Sequence, residues 1–361
     1  MATPKSTGSA EPPALRPLEL DPDRALRRAR KPYGIVDIGS NSVRLVVYDE
    51  LGRAPLPRFN EKSMCRLGEG LAETNAIAED NYRRTVEAVR RFRAIADAMG
   101  VERLDATATE AVRRASNGPT LVAAIAREAD LRVRVLSGAE EAHFAAQGVI
   151  SGLFRPVGLV GDMGGGSLEV AEVLHDHVGE RSVSLPLGAL PVQSLLKEGG
   201  RAARERIDEL LRAGLPPVLT EPVFYAVGGG FRALARAHQV ATDAPVRVVH
   251  GYTVAADEIR NFAKKLWHLA PDRLAAMPGV ANRRVPTLPA AAIVLDRVLK
   301  HLGPERVEFS ALGLREGWLY AQLPKSERYL DPLLEGAQLF GLPLARVPRF
   351  AAALGRWTDE L

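Results

Sequence analysis

The chain has a single cysteine, Cys65, among its 361 residues. An internal disulfide and a cysteine-rich zinc site are both excluded, and the reducing cytoplasm is the expected compartment. No run of eighteen or more apolar residues passes without a charge, Gly or Pro, so no membrane-spanning helix is expected. An excess of either charge is missing too. Lys+Arg number 48 and Asp+Glu 44, a net of +4. Seven basic and four acidic residues lie within residues 1–31, which leaves about +1 for the remainder. A near-neutral body argues against nucleic acid as a partner, because that affinity rests on a broad cationic face. An anionic ligand must then be held by local devices: backbone N–H groups, a few Arg side chains, or a metal ion.

Hydrophobic residues make up 46% of the chain and charged residues 25%, an ordinary globular balance. The length exceeds one usual hydrophobic core, so two domains are expected. Residues 1–31 are rich in Pro, Ala and charge and read as a disordered tail. A first domain over 32–156 and a second over 157–323 follow, with Pro156 at the boundary. Residues 324–361 read as a helical extension.

Short apolar runs predict strands at Gly34–Ile38, Val43–Asp49, Val101–Ala106, Arg132–Leu136, Val157–Met163, Leu168–Leu174, 181–187, 223–227 and Val307–Ser310. Helices are expected at 79–99, Pro119–Ala129, Ala139–Val149, 201–213, 231–238, 251–268, 287–302 and Leu314–Leu323. In the first of these Val86, Val89, Phe92, Ile95 and Ala96 share one stripe.

One pattern occurs twice. Asp37-Ile38-Gly39-Ser40-Asn41-Ser42 and Asp162-Met163-Gly164-Gly165-Gly166-Ser167 both read Asp-x-Gly-x-x-Ser, between two strands, about one domain length apart. Glycines let several N–H groups turn to one side as an anion-binding concavity, and Ser adds a hydroxyl. The Asp repels phosphate but can hold Mg²⁺, which bridges to phosphate oxygens. A Rossmann turn is excluded because Leu168–Val173 alternates as a strand and not a helix. A Walker loop is excluded because no Gly-Lys-Ser/Thr follows. A third cluster, Gly228-Gly229-Gly230, opens a helix and can add N–H donors. His175-Asp176-His177 reads as a polar loop, and Cys65 as incidental.

Between the two turns lie ATEAVRRASN (108–117) and LSGAEEA (136–142). Together with IVDIGSNSVRLVVYD, LVGDMGGGSLEV, SLPLGA, VGGGFRALAR, HGYTV and ALGLREGWLY they keep a known family's order from Gly34 to Leu323. On these pieces the chain resembles the exopolyphosphatase and guanosine pentaphosphate phosphatase family. That family lies within the actin-like superfamily of acetate and sugar kinases and heat-shock ATPases. The resemblance implies an α/β fold of two actin-like, ribonuclease H-like domains, each a mixed sheet flanked by helices, with the site in the cleft between them. It implies Glu141 as the base that activates water, Glu140 as a helix-start residue, and Arg113 on phosphate. Asp37 and Asp162 would position Mg²⁺, with Glu169 in support. Ser40, Asn41, Gly164, Gly165, Gly166, Ser167, Gly228 and Gly229 would cradle phosphates. The family commonly has Thr where Gly230 stands, and Asn282–Leu288 departs from its pattern.

The implied activity is Mg²⁺-dependent release of orthophosphate from the end of inorganic polyphosphate, by a cytoplasmic homodimer. Removal of the 5′ γ-phosphate of guanosine pentaphosphate is the nearest rival. A kinase or ATPase of the same superfamily, and a non-catalytic sensor of polyphosphate or an alarmone, are rivals from other classes.

Overall fold

The structure is a computed structural model and describes residues 31–215, 222–341, 344, 347, 350 and 357. The expected tail lies outside the described residues up to residue 30. The body considered below is Arg30–Glu335.

Two mixed sheets organise it. The first holds β1 (Tyr33–Ile38), β2 (Val43–Tyr48), β3 (Pro57–Ser63), β4 (Arg103–Ala108) and β5 (Val133–Val135), in the order β3-β2-β1-β4-β5. The second holds β6 (Val157–Met163), β7 (Leu168–Leu174), β8 (His177–Leu185), β9 (Val223–Val227), β10 (Tyr252–Ala255) and β11 (Arg306–Phe309), in the order β10-β11-β9-β6-β7-β8. Each sheet begins as an antiparallel meander of three strands. Parallel strands then join beside the first of the three. The run β3-β2-β1-β4-β5 therefore reappears as β8-β7-β6-β9-β11, and β10 is an extra edge strand. The doubled motif in the sequence is a doubled topology.

Helices cover the sheets: α1 (Glu79–Ala98), α2 (Glu110–Arg114), α3 (Gly118–Ala129), α4 (Gly138–Gly152), α5 (Ala189–Glu198), α6 (Gly200–Gly214), α7 (Gly229–Ala241), α8 (Ala256–Trp267), α9 (Leu288–Leu302) and α10 (Leu314–Tyr320). The apolar stripe of α1 packs Val86, Val89 and Phe92 with Val36, Leu45 and Leu121 in the core of the first sheet. The second core gathers Phe224, Phe231 and Phe309 with the apolar faces of α6 to α9. Helix α9 is buried nearly all round, from Leu288 to Leu302, as a helix inside a core must be. Among the described residues no helix is long and apolar enough to cross a membrane.

Helices α4 and α10 link the two sheets. Although α4 precedes Pro156, it packs on β6, β7, β8 and α10. Its Ala142, Ala146, Val149 and Ile150 share a core with Val160 and Val173. From α10, Leu319 enters the core of Tyr33, Ile35, Val46 and Tyr48, while Tyr320 enters the core of the second sheet. Tyr48 donates a hydrogen bond to Glu316 at 2.7 Å, and Trp318 Nε1 donates to Asp105 at 2.8 Å. Most expected elements are present, with local differences. Residues 252–255, expected at the start of a helix, pair with β11, so that helix begins at Ala256. Their β-branched Thr253 and Val254 suit an edge strand better than a first helical turn. Strand β3 and helices α2 and α5 were not expected.

Candidate active site

The repeated turns end β1 and β6, and both line one cavity between the sheets. Asp37, Ser40 and Asn41 come from the first, Asp162 and Gly164–Ser167 from the second. They come close: a Cβ on Gly165 would lie 3.0 Å from Cβ of Ser40. Backbone hydrogen bonds orient the second turn. Gly188, Ala189 and Leu190 donate to the carbonyls of Gly166, Gly164 and Gly165 at 3.3, 3.1 and 2.8 Å. Committing those carbonyls to the start of α5 turns the N–H groups of Gly165, Gly166 and Ser167 the opposite way, as an anion nest requires. Gly228 and Gly229 join the lining where β9 runs into α7. Gly228 has φ +102°, and a Cβ there would lie 2.4 Å from the Met163 carbonyl and 2.8 Å from Asp162 Oδ1. Only glycine fits both demands.

The carboxylates converge on the same cavity. Asp37 pairs with Arg44 across β1 and β2, and Asp162 pairs with Glu169 across β6 and β7. The two partners occupy equivalent places in the twin hairpins, seven residues after their Asp, yet one is a base and the other an acid. Glu141 enters from the first turn of α4 and is 5% exposed. Its neighbour Glu140 closes a capping box: Glu140 N–H donates to Ser137 Oγ at 3.2 Å and Ser137 N–H donates to Glu140 at 2.9 Å. Those bonds and Arg134 hold the Glu140 carboxyl down to about 2.

Burial raises Asp37, an effect that Arg315 and Arg44 oppose. Burial and the nearby Asp37 push Asp162 up to about 6, against the pull of Arg232 and Arg315. Glu141 and Glu169 are both raised, first by burial and then by neighbouring carboxylates. Arg113 opposes this at Glu141, and hydrogen bonds from Ser167 and Ser184 oppose it at Glu169. Such a group of buried acids is what a divalent cation would relieve. The donors are oxygen atoms only, which suits Mg²⁺. Among the described residues no three His, Cys, Asp or Glu side chains form a metal cage by themselves. Mg²⁺ ordinarily takes one or two carboxylates and completes its shell with water and phosphate, so one or two of Asp37, Asp162 and Glu169 could bind it directly and the remainder through water.

Arg113 does not line the cavity. Its guanidinium donates to Glu141 and to the Leu136 carbonyl, so it holds the carboxylate that was expected to act beside it. His177 begins β8, where its ring sits 3.2 Å from exposed Asp176, away from the cavity. Cys65 is buried in the first core.

Sequence reasoning missed the cations. Arg44, Lys62, Arg232, Arg284 and Arg315 all line the cavity. Arg315 sits 3.9 Å from Asp37, and its Nη1 is buried without a hydrogen-bond partner. Burial alone would raise the adjacent Glu316, but Arg315, the Gly313 N–H and Tyr48 bring it below its ordinary value. Burial and the surrounding arginines push Lys62 down to about 8. Three of the five cations stand inside quoted motifs, directly after a glycine turn or at a helix start.

The profile of the Ppx/GppA phosphatase family matches residues 46–326. The chain belongs to that family. Ppx/GppA proteins are phosphoanhydride hydrolases. Exopolyphosphatase 1 of Mycobacterium bovis is 30% identical over 305 residues, covering 80% of this chain and 88% of that protein. Retrograde regulation protein 2 of Saccharomyces cerevisiae is 29% identical over 348 residues, covering 85% of this chain and 58% of that protein. An exopolyphosphatase structure from Cytophaga hutchinsonii superposes with a TM-score of 0.70 at 24% identity, covering 85% of this chain and 98% of the other. The Aquifex aeolicus Ppx/GppA family member gives 0.68 at 24% identity, with 80% and 96% covered. The body is thus the two-domain, actin-like fold of the Ppx/GppA proteins.

Proposed function

We propose that this protein removes the terminal phosphate of inorganic polyphosphate by hydrolysis, releasing orthophosphate, with Mg²⁺ as cofactor. The observation that carries the proposal is the division of one cavity. Arg44, Lys62, Arg232, Arg284 and Arg315 share it with Asp37, Asp162, Glu141 and Glu169. Five cations suit a ligand with several negative groups. The acids mark the place where one of those groups must meet a metal and a nucleophile. None of the described lining residues is aromatic, so a purine would find no aromatic ring to stack on there, while the guanidinium groups suit phosphate oxygens. That favours a bare phosphate chain over guanosine pentaphosphate.

Phosphoryl transfer asks a protein mainly for position and charge. The N–H groups of the second turn and the free Nη1 of Arg315 would hold oxygens of the terminal phosphoryl. Asp37, Asp162 and Glu169 would hold the metal, which when bound supplies positive charge against those oxygens. Glu141 would accept a proton from the attacking water. Arg113 would fix its carboxylate and keep enough of it ionised, against the burial that raises it. A cytoplasmic homodimer belongs to the same proposal and is supported by the family resemblance.

Phosphate release from long polyphosphate, guanosine pentaphosphate and ATP, with and without Mg²⁺, tests the reading in wild type and Glu141→Ala. Loss of a base carboxylate costs about 10²–10⁴ in rate. Equal turnover by both proteins would remove Glu141 from the mechanism. Tight binding of polyphosphate without hydrolysis would favour a sensor.

A further inference from the structure

We propose that Glu110 is an anion gate: a carboxylate that holds a place in the phosphate cradle and yields it when phosphate enters. The inference builds on the phosphate-binding reading above and adds a residue that sets affinity. Glu110 opens α2 and is 9% exposed, and it lines the cavity. Its position in a first helical turn accounts for an acid by the helix dipole, but not for the direction in which it points. Ser40 Oγ donates to Glu110 Oε2 at 3.3 Å. The same oxygen lies over the second turn, where a Cβ on Gly166 would meet it at 1.9 Å. One carboxylate oxygen therefore engages the hydroxyl of the first turn and covers the glycine of the second. The Ser40 hydroxyl is one of the groups offered to a phosphate oxygen, and the space over Gly166 belongs to the same cradle. The other oxygen, Oε1, is held from outside by Arg114 at 3.1 Å.

A carboxylate accepting from Ser40 resembles the ligand in charge and in hydrogen bonding. It keeps the cradle's donor satisfied in the absence of ligand, and an incoming phosphate has to compete for that donor and against that charge. The arrangement makes two substitutions act in opposite directions. Glu110→Gln keeps the shape and an acceptor but removes the charge. Arg114→Gln, at a half-exposed position outside the cavity, leaves the carboxylate in place and removes the cation that offsets it.

The test measures binding of tripolyphosphate and inorganic phosphate by calorimetry, with kcat and KM for tripolyphosphate beside it. Glu110→Gln should tighten both Kd values and lower KM by roughly three- to tenfold, from loss of one like charge at close range. Its kcat should change less than its KM. Arg114→Gln should raise KM and weaken binding, and should have little effect once Glu110 is already Gln. A strap that merely holds the turns together would make both single variants bind more weakly, and that result overturns the gate. Unchanged Kd values in Glu110→Gln also overturn it. If wild type binds but hydrolyses no phosphoanhydride, the enzymatic reading fails while the binding comparison still decides the gate. Should Glu110→Gln not fold, Glu110→Ala takes its place: tighter binding than wild type supports the gate, and equal or weaker binding overturns it.

Discussion

Replacing Arg315 by Met removes one charge while keeping an apolar stem of similar length. Arg315 stands 3.9 Å from Asp37, restrains Asp162, and keeps the buried Glu316 below its ordinary value against the effect of burial. Breaking a buried ion pair from one side costs about 3–5 kcal/mol, because the remaining charges are left uncompensated. Here the remaining charges are carboxylates, which can escape by taking up protons. The sign follows from linkage. With Arg315 gone, Asp37 and Asp162, already raised by burial, rise further, and Glu316 loses the main cause that holds it below its ordinary value, so the folded state binds more protons. Stability is then retained in acid and lost as pH rises through the folded values. The penalty should be small near pH 5 and approach about 3–5 kcal/mol near pH 8. Urea unfolding of both proteins at the two pH values, without divalent cations, measures it. Equal destabilisation at both, or a larger loss in acid, would refute the charge argument. Turnover should fall by about 10²–10³, the usual cost of one lost donor to a reacting oxygen.

Two further outcomes follow from the same cavity. Gly228→Ala forces a Cβ onto a φ of +102° and against the Met163 carbonyl and Asp162. It should cost about 1–3 kcal/mol in an unfolding titration and depress kcat by displacing Asp162, so wild-type values for both would contradict the geometry. Lys62, pushed down to about 8, should lose its charge as pH rises past that value. The KM for polyphosphate should climb over the same range in wild type and stay flat in Lys62→Met. Superimposable profiles would remove Lys62 from substrate binding.

The strands and the helical stripe on α1 were legible because buried runs and 3.6-residue periods are local signals. The twin turns were legible because glycine, acid and hydroxyl stand at fixed spacing inside each. Strand β3 was not, since PRFNEKS is polar and lies at a sheet edge. Helix α5 was hidden beside the turn it pins. The cationic wall was the larger omission. A near-neutral composition argued for only a few local arginines, and Lys62 and Arg284 are brought together by folding from segments with no shared pattern. Arg284 even lies in the stretch that departs from the family's sequence. Arg113 was read from its motif position as a group on phosphate, whereas its guanidinium is taken up by Glu141 and Leu136. Sequence spacing places a side chain on an element, but its partner is chosen by what packs opposite.

Twin hairpins, one carrying Arg44 where the other carries Glu169, make the two halves of the crevice unlike in charge. On the proposed reading, a phosphate string laid along it would have no equivalent reversed pose. Its body would be favoured beside Arg44, and an end that brings a counter-ion with it beside Glu169. Trimming from a terminus, rather than scission in the middle, would then need no separate stop or measuring device. The polarity would lie in the mismatch between two loops of one pattern.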